Sequence, residues 1–122
     1  MRLRFVLACA AVALLSGAAA EAGVLRVVVV EASDAAAYAK AIEQGKALMK
    51  AKGLPSDIRV WRARFAGERA GSVVAAIEYP SLEALAKADA TMNTDADLKA
   101  WLASLSKVRK IISDSIYDEV KP

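Results

Sequence analysis

The side chains that most enzymes use for acid–base or nucleophilic chemistry are scarce in this sequence. Histidine is absent, and the single cysteine, Cys9, lies near the N-terminus. Without histidine, a Ser-His-Asp or Cys-His catalytic group, histidine ligation of zinc and a proximal histidine on haem iron are all excluded. The glycine-bearing segment AGERAG also lacks the Lys-Ser/Thr pair of a phosphate-binding loop. We therefore predict no metal and no cofactor, and assign no catalytic residue.

Large aromatic and polar side chains give the sequence its candidate ligand site. The aromatics either line an apolar pocket or fill an ordinary core, since large aromatic residues dominate both. Asp89 lies on or beside the apolar stripe of a predicted helix, and Asn93 follows one turn later. Asp89 is either a boundary position that reaches water or a polar group above a pocket. The predicted pocket residues are Trp61, Tyr79, Asp89, Met92 and Trp101.

The first 22 residues have the pattern of a secretory signal peptide. A short basic start with Arg2 and Arg4 precedes an apolar run, and two A-x-A sites end at Ala20 and Ala22. The apolar run is short for a bilayer span, which needs roughly 20 residues. An uncleaved N-terminal anchor is the second interpretation. We expect cleavage, export to the periplasm or the medium, and no association with a membrane afterwards.

Removal of residues 1–22 would leave residues 23–122 as a single domain, large enough for one core. Cys9 would leave with the signal, and with it any thiol chemistry. The remaining segment carries 15 basic and 13 acidic residues. This balance is too even to favour a nucleic-acid partner.

Residues 24–31, VLRVVVVE, form an apolar run without alternation, which predicts a central strand with parallel neighbours. A helix with Ser33 or Asp34 as its cap follows and ends at Gly53. Gly45 lies on the inward stripe of this helix, either for close packing or to leave room for a ligand. A second helix begins after Pro80-Ser81 and is interrupted at residues 94–97, where Thr94 and Asp97 fit a capping box. Residues 111–120 predict the last strand.

Residues 58–79 predict a β-hairpin, because two segments rich in β-branched and aromatic residues flank a glycine-bearing turn. A turn centred on Glu68 and Arg69 places Trp61 near Ile77. Trp61 would then share one face of the sheet with Tyr79.

The order of elements is β-α-β followed by β-α-β, without a linker. It predicts an α+β fold, the ferredoxin-like βαββαβ sandwich, with a four-stranded antiparallel sheet and its helices on one face. Right-handed crossovers suggest the first and third strands as a central parallel pair. The other face keeps Val60, Val74 and Ala76, so we expect a second copy of the chain to cover it.

The chain resembles the dimeric α+β barrel superfamily, and more distantly its NIPSNAP-type and cofactor-free monooxygenase-type domains. The features that carry the resemblance are VWRARFAG, GSVVAAIEYPSLEAL, the interrupted second helix with its tryptophan, and SDSIYDEV. The resemblance implies that two sheets pack face to face across a two-fold axis. It also implies a pocket between each sheet and its helices, with ligands that range from haem to polyketides.

Three functions follow as hypotheses. The first is an exported homodimer that binds a small apolar or amphipathic molecule without catalysis. The second is a cofactor-independent monooxygenase or isomerase, for which a polar group above an apolar pocket would be needed. The third is a purely structural interaction module. The absence of histidine, and of cysteine after cleavage, favours the first and the third.

Overall fold

The structure, a computed structural model, describes residues 23–65 and 67–122. The predicted signal peptide, residues 1–22, lies outside the described residues. Within the described ranges the chain forms four strands and three helices: β1 Val24–Glu31, α1 Ala35–Ala51, β2 Asp57–Arg62, β3 Val73–Tyr79, α2 Leu82–Thr94, α3 Ala96–Ser104 and β4 Lys110–Asp118. The predicted α+β, ferredoxin-like fold is confirmed.

Helix α1 begins and ends where the sequence predicts. The Asp34 carboxylate accepts a hydrogen bond from the backbone N–H of Ala37 (3.0 Å) and so satisfies one of the unpaired donors of the first turn. Gly53, two residues beyond the helix, has φ +72°, a conformation that favours glycine.

The helical segment after β3 divides at residue 95, and its cap differs from the prediction. Thr94 is the last residue of α2, whereas Asp95 caps α3 and accepts from the backbone N–H of Leu98 (3.0 Å). The capping box of Thr94 and Asp97 was therefore wrong by one residue. Asp95 also forms an ion pair with Lys52 (2.8 Å), which connects the end of α1 to the start of α3.

The strand order is β2-β3-β1-β4, and every neighbouring pair is antiparallel. The prediction that β1 and β3 are central is confirmed, but the prediction that they are parallel is wrong. β3 reverses direction after β2 and inserts between β2 and β1, so it runs antiparallel to both. The unbroken apolar sequence of β1 therefore marks a central strand but not parallel neighbours.

The register of the hairpin also differs from the prediction. Trp61 pairs with Val74, three residues from the predicted Ile77. The loop contains a 3-10 turn, Gly67–Arg69, and glycines at positive φ instead of a turn centred on Glu68 and Arg69. Because strand side chains alternate between faces, an odd shift moves Trp61 to the other face of the sheet.

The core lies between the helices and one face of the sheet. That face contributes Val28 and Val30 from β1 and Val73 and Ala75 from β3. A second 3-10 turn, Leu105–Lys107, follows α3. The fully buried side chains that pack from the helical layer include Tyr38, Leu98 and Leu105. Among the residues that the structure describes, no helix combines the length and apolar composition that a bilayer crossing requires.

Candidate functional site

A cavity of about 180 Å³ lies between the sheet and the helices. All four strands and all three helices of the described chain contribute to its lining. Its apolar wall includes Val28, Ile42, Met49, Ile58, Ala75, Ile77, Met92, Trp101, Leu102, Leu105 and Ile111. Most of these residues belong to the hydrophobic core, so the cavity is held by the elements that stabilise the fold.

The indole of Trp101 forms one wall of the cavity and packs against the backbone of α1. Its Nε1–H donates a hydrogen bond to the carbonyl of Ala41 (2.8 Å). A Cβ atom at Gly45 would lie 2.0 Å from the indole ring, far inside van der Waals contact. Of the two predicted roles of Gly45, close packing and room for a ligand, the structure shows close packing. The group packed against Gly45 is the Trp101 side chain of α3 and not the sheet.

Three charged side chains form the polar side of the cavity. The Arg26 guanidinium binds Asp114 through two parallel hydrogen bonds, Nε to Oδ1 (3.0 Å) and Nη2 to Oδ2 (2.7 Å). Its Nη1 donates to Oδ1 of Asp89 (2.7 Å). Arg26 lies on β1, Asp114 on β4 and Asp89 on α2, so this cluster joins three elements. The three side chains are 27%, 36% and 39% exposed, and the polar side of the cavity therefore meets solvent.

The hydrogen bonds between Arg26 and Asp114 favour the charged forms of both side chains. The hydrogen bonds from Arg26 lower the pKa of Asp114, and those to Asp114 raise the pKa of Arg26 against the opposing effect of burial. Burial is the main cause of a raised pKa at Tyr79, which also lines the cavity. Tyr79 is therefore a neutral hydroxyl at neutral pH.

A second arginine reaches the cavity from the segment before β4. Nη1 of Arg109 donates to the hydroxyl of the buried Tyr38 (3.2 Å), and the guanidinium carbon lies 5.9 Å from the centre of the Tyr38 ring. The charges of Arg26 and Arg109 balance those of Asp89 and Asp114, so the lining carries no net charge.

The structure brings four of the five predicted site residues together. Tyr79, Asp89, Met92 and Trp101 line the cavity, as does Asn93. Trp61 does not, because the register of the hairpin places it on the opposite face of the sheet, where it is 55% exposed.

Sequence reasoning missed Arg26, Arg109 and Asp114. One signal was present for Arg26, which is the only charged residue in the segment 24–30, where the other six residues are apolar. A charged side chain inside a buried strand requires a partner. No spacing in the sequence identifies Asp114 as that partner, because the two residues are 88 positions apart.

A wider groove of about 750 Å³ lies at the hairpin end of the sheet, between the returning loop and the segment that enters β4. Its lining is mainly polar and includes Glu68, Arg69, Lys107 and Lys110. Small-molecule sites are typically concave and mostly apolar with a few convergent polar groups. The smaller cavity between sheet and helices fits that description, and the groove does not.

Comparison with solved structures shows what this fold resembles. SnoaB, a cofactor-independent oxygenase from Streptomyces nogalater, was solved as an asparagine-to-alanine mutant. It superposes with a TM-score of 0.62 at 13% identity, over 82% of this chain and 95% of that one. A NIPSNAP family protein from Agrobacterium tumefaciens strain C58 superposes with a TM-score of 0.58 at 14% identity, over 82% of this chain and 93% of that one.

These likenesses confirm the resemblance that the sequence suggests, at the level of the fold. The chain has the ferredoxin-like α+β architecture found in a cofactor-independent oxygenase and in a NIPSNAP protein. No family model matches the sequence, and no curated protein matches it.

Proposed function

We propose that the chain is an exported domain that binds a small amphipathic molecule in the cavity between sheet and helices. The observation that supports this most directly is the composition of the cavity lining. Apolar side chains surround the space, and polar groups converge on it at one side. This combination is typical of sites that hold the body of a ligand by burial and orient it by a few hydrogen bonds.

The size of the cavity limits the ligand. Its volume of about 180 Å³ is below the ~300–1,000 Å³ of sites for drug-sized molecules. It is close to the ~150 Å³ of an engineered apolar cavity that holds benzene. We therefore expect a ligand, or a buried part of one, of about the size of a single ring.

Native mass spectrometry of protein purified from its own compartment tests the proposal. We expect a complex heavier than the chain, or a multiple of the chain, by the mass of a small organic molecule. Denaturation should release that molecule. A mass that equals the polypeptide alone, in protein that also fails to bind any ring-sized probe, would contradict the proposal.

Two alanines on β3 provide a variant and its matched control. Ala75 lines the cavity and is 2% exposed, whereas Ala76 is on the opposite face of the same strand. Ala75→Leu should fill the cavity and prevent ligand retention. Ala76→Leu adds the same atoms outside the cavity, on the face that we propose below as the dimer interface. It should leave retention unchanged, because the residues that line the cavity belong to one chain. Equal retention by both variants would place the ligand elsewhere.

We propose further that the domain is a homodimer. The face of the sheet opposite the helices is lined by partly exposed apolar residues: Leu25, Val27, Val29, Val74 and Ala76, with Trp61 and Tyr117 at its sides. A large apolar patch favours association, and two identical patches meet across a two-fold axis.

Cofactor-independent oxygenation is the second candidate function. The structural similarity to SnoaB favours it, together with the position of Asp89 beside the cavity. A substrate-dependent consumption of oxygen with quinol or polyketide-like compounds would support it. Loss of that activity in Asp89→Asn, without loss of ligand binding, would assign the proton-transfer role to Asp89.

A further inference from the structure

The polar side of the cavity is built from groups that already bind one another, and this restricts what a ligand can offer. All three nitrogens of the Arg26 guanidinium donate to carboxylates, two to Asp114 and one to Asp89. Both oxygens of Asp114 accept from Arg26. Arg26 thus uses three of its five N–H groups within the cluster, and its charge is matched by two carboxylates.

Asp89 has one carboxylate oxygen that does not bind Arg26. Its Oδ1 accepts from Arg26, and among the described residues Oδ2 accepts no hydrogen bond. Asp89 lines the cavity and is 39% exposed, so Oδ2 remains accessible. An ionised carboxylate accepts hydrogen bonds and cannot donate them. Oδ2 of Asp89 is therefore an open hydrogen-bond acceptor of the cluster.

The balance of charges around the cavity also favours an uncharged ligand. Arg26 and Arg109 balance Asp89 and Asp114, and Tyr79 is neutral. A ligand carboxylate would upset this balance, and at Arg26 it would have to displace Asp89 or Asp114 before it could form a two-point contact with the guanidinium. Arg109, the other cation of the lining, already donates to the Tyr38 hydroxyl through Nη1. An uncharged ligand that donates a hydrogen bond neither changes the net charge of the cavity nor displaces a carboxylate from Arg26.

From this we infer that the cavity selects a neutral, ring-sized ligand that donates a hydrogen bond to Oδ2 of Asp89, such as an alcohol or an amide, and rejects carboxylates. This inference rests on the proposed ligand-binding function and names the chemical class of the ligand. It also assigns Asp89 as the residue that determines specificity.

Three ring-sized probes that differ only at one end test the inference: benzyl alcohol, toluene and benzoate. Binding is followed by NMR through the two tryptophan indole N–H signals, which Trp61→Phe assigns. The signal of Trp101 reports on the cavity, and that of Trp61 reports on the opposite face of the sheet. We expect benzyl alcohol to bind at least about tenfold more tightly than benzoate, and more tightly than toluene, with shifts confined to Trp101.

The substitution Asp89→Asn tests the contribution of the Asp89 charge to the preference among the probes, because the shape of the side chain is nearly unchanged. It keeps the size of the side chain and removes one of the two negative partners of Arg26. We expect the preference for benzyl alcohol over benzoate to shrink by about tenfold, because the guanidinium gains the capacity to pair with the probe. Asp97→Asn is the control, since it changes the net charge equally at a residue that pairs with Lys52 away from the cavity. It should leave the preference unchanged.

The outcomes distinguish the two proposals. If benzoate and benzyl alcohol shift the Trp101 signal with equal affinity, or if Asp89→Asn leaves the preference intact, the specificity inference is overturned and the cavity remains a binding site. If no probe shifts the Trp101 signal and native protein carries no bound molecule, the binding function fails, and the specificity inference with it.

Discussion

Gly45 of α1 and Trp101 of α3 lie so close together that the indole fills the space a side chain at position 45 would need. The indole of Trp101 lies where a side chain at position 45 would begin, and its Nε1–H binds the carbonyl of Ala41, one turn before Gly45. The cavity wall therefore depends on a residue without a side chain. Glycine in a helix is unfavourable by about 1 kcal/mol relative to alanine, and the packing of Trp101 is what offsets that cost here.

Gly45→Ala should destabilise the protein by about 1–3 kcal/mol, because the new methyl group forces the indole out of its position. In a Trp101→Leu background the conflict disappears. There the same substitution should stabilise by up to about 1 kcal/mol through helix propensity. Urea unfolding at one fixed protein concentration measures both free energies.

Ala47→Gly calibrates this experiment, because Ala47 is an exposed residue of the same helix and reports propensity alone. If Gly45→Ala has the same effect in both backgrounds, the two residues do not share the space, and the account of the cavity wall is wrong.

At the scale of single residues, the sequence indicated several side chains that line the cavity but not the residues with which they pair. Tyr79, Asp89, Met92 and Trp101 were predicted as pocket residues and line one cavity. The partner of Asp89 is Arg26, 63 positions away, and the pairing exists only because the fold brings these two side chains of α2 and β1 together. Long-range pairs of this kind have no local spacing from which to be predicted.

At the scale of elements, the order of strands and helices could be predicted because each has its own periodicity and end signals. Strand direction and hairpin register could not. Both depend on the geometry of connections, and the register between β2 and β3 determines on which face Trp61 lies. The hairpin therefore places Trp61 outside the cavity, although its residue type suited a pocket.

The cluster of Arg26, Asp89 and Asp114 connects β1, α2 and the edge strand β4, and it should make the attachment of β4 sensitive to acid. Asp114 has a lowered pKa in the folded chain because Arg26 hydrogen-bonds its charged form. Its contribution is therefore complete above the ordinary aspartate pKa of about 3.9 and is lost as the pH falls through the lower, folded value. We expect the free energy of unfolding to decrease from about pH 5 downwards.

Asp114→Asn tests this dependence. The variant should be less stable than wild type at neutral pH and should lose less of its stability on acidification, so the two curves converge at low pH. Asp118→Asn is the control on the same strand, since Asp118 is exposed and has no ion pair among the described residues. Parallel curves for wild type and Asp114→Asn would show that the pair with Arg26 does not stabilise the fold.

At the scale of the whole molecule, the two faces of the sheet have different surroundings. One face, with Val28 and Ala75, carries the core and the cavity. The other has no described helix on it, although its centre is as apolar as a core strand: Val27 and Val29 of β1 lie beside Val74 and Ala76 of β3. Burial of such a patch is worth about 25 cal/mol for each Å² of apolar surface removed from water, which favours self-association over exposure.

We therefore expect gel filtration with light scattering to give twice the chain mass at micromolar concentration. Val27→Lys should convert the protein to the single-chain mass, because a two-fold axis would bring two buried, unpaired ammonium groups to the interface. Ala47→Lys adds the same charge on the solvent side of α1 and should leave the dimer intact. A wild-type protein of single-chain mass would show that this face stays in solvent. The cavity, whose described lining comes from one chain, should in either case still bind its ligand.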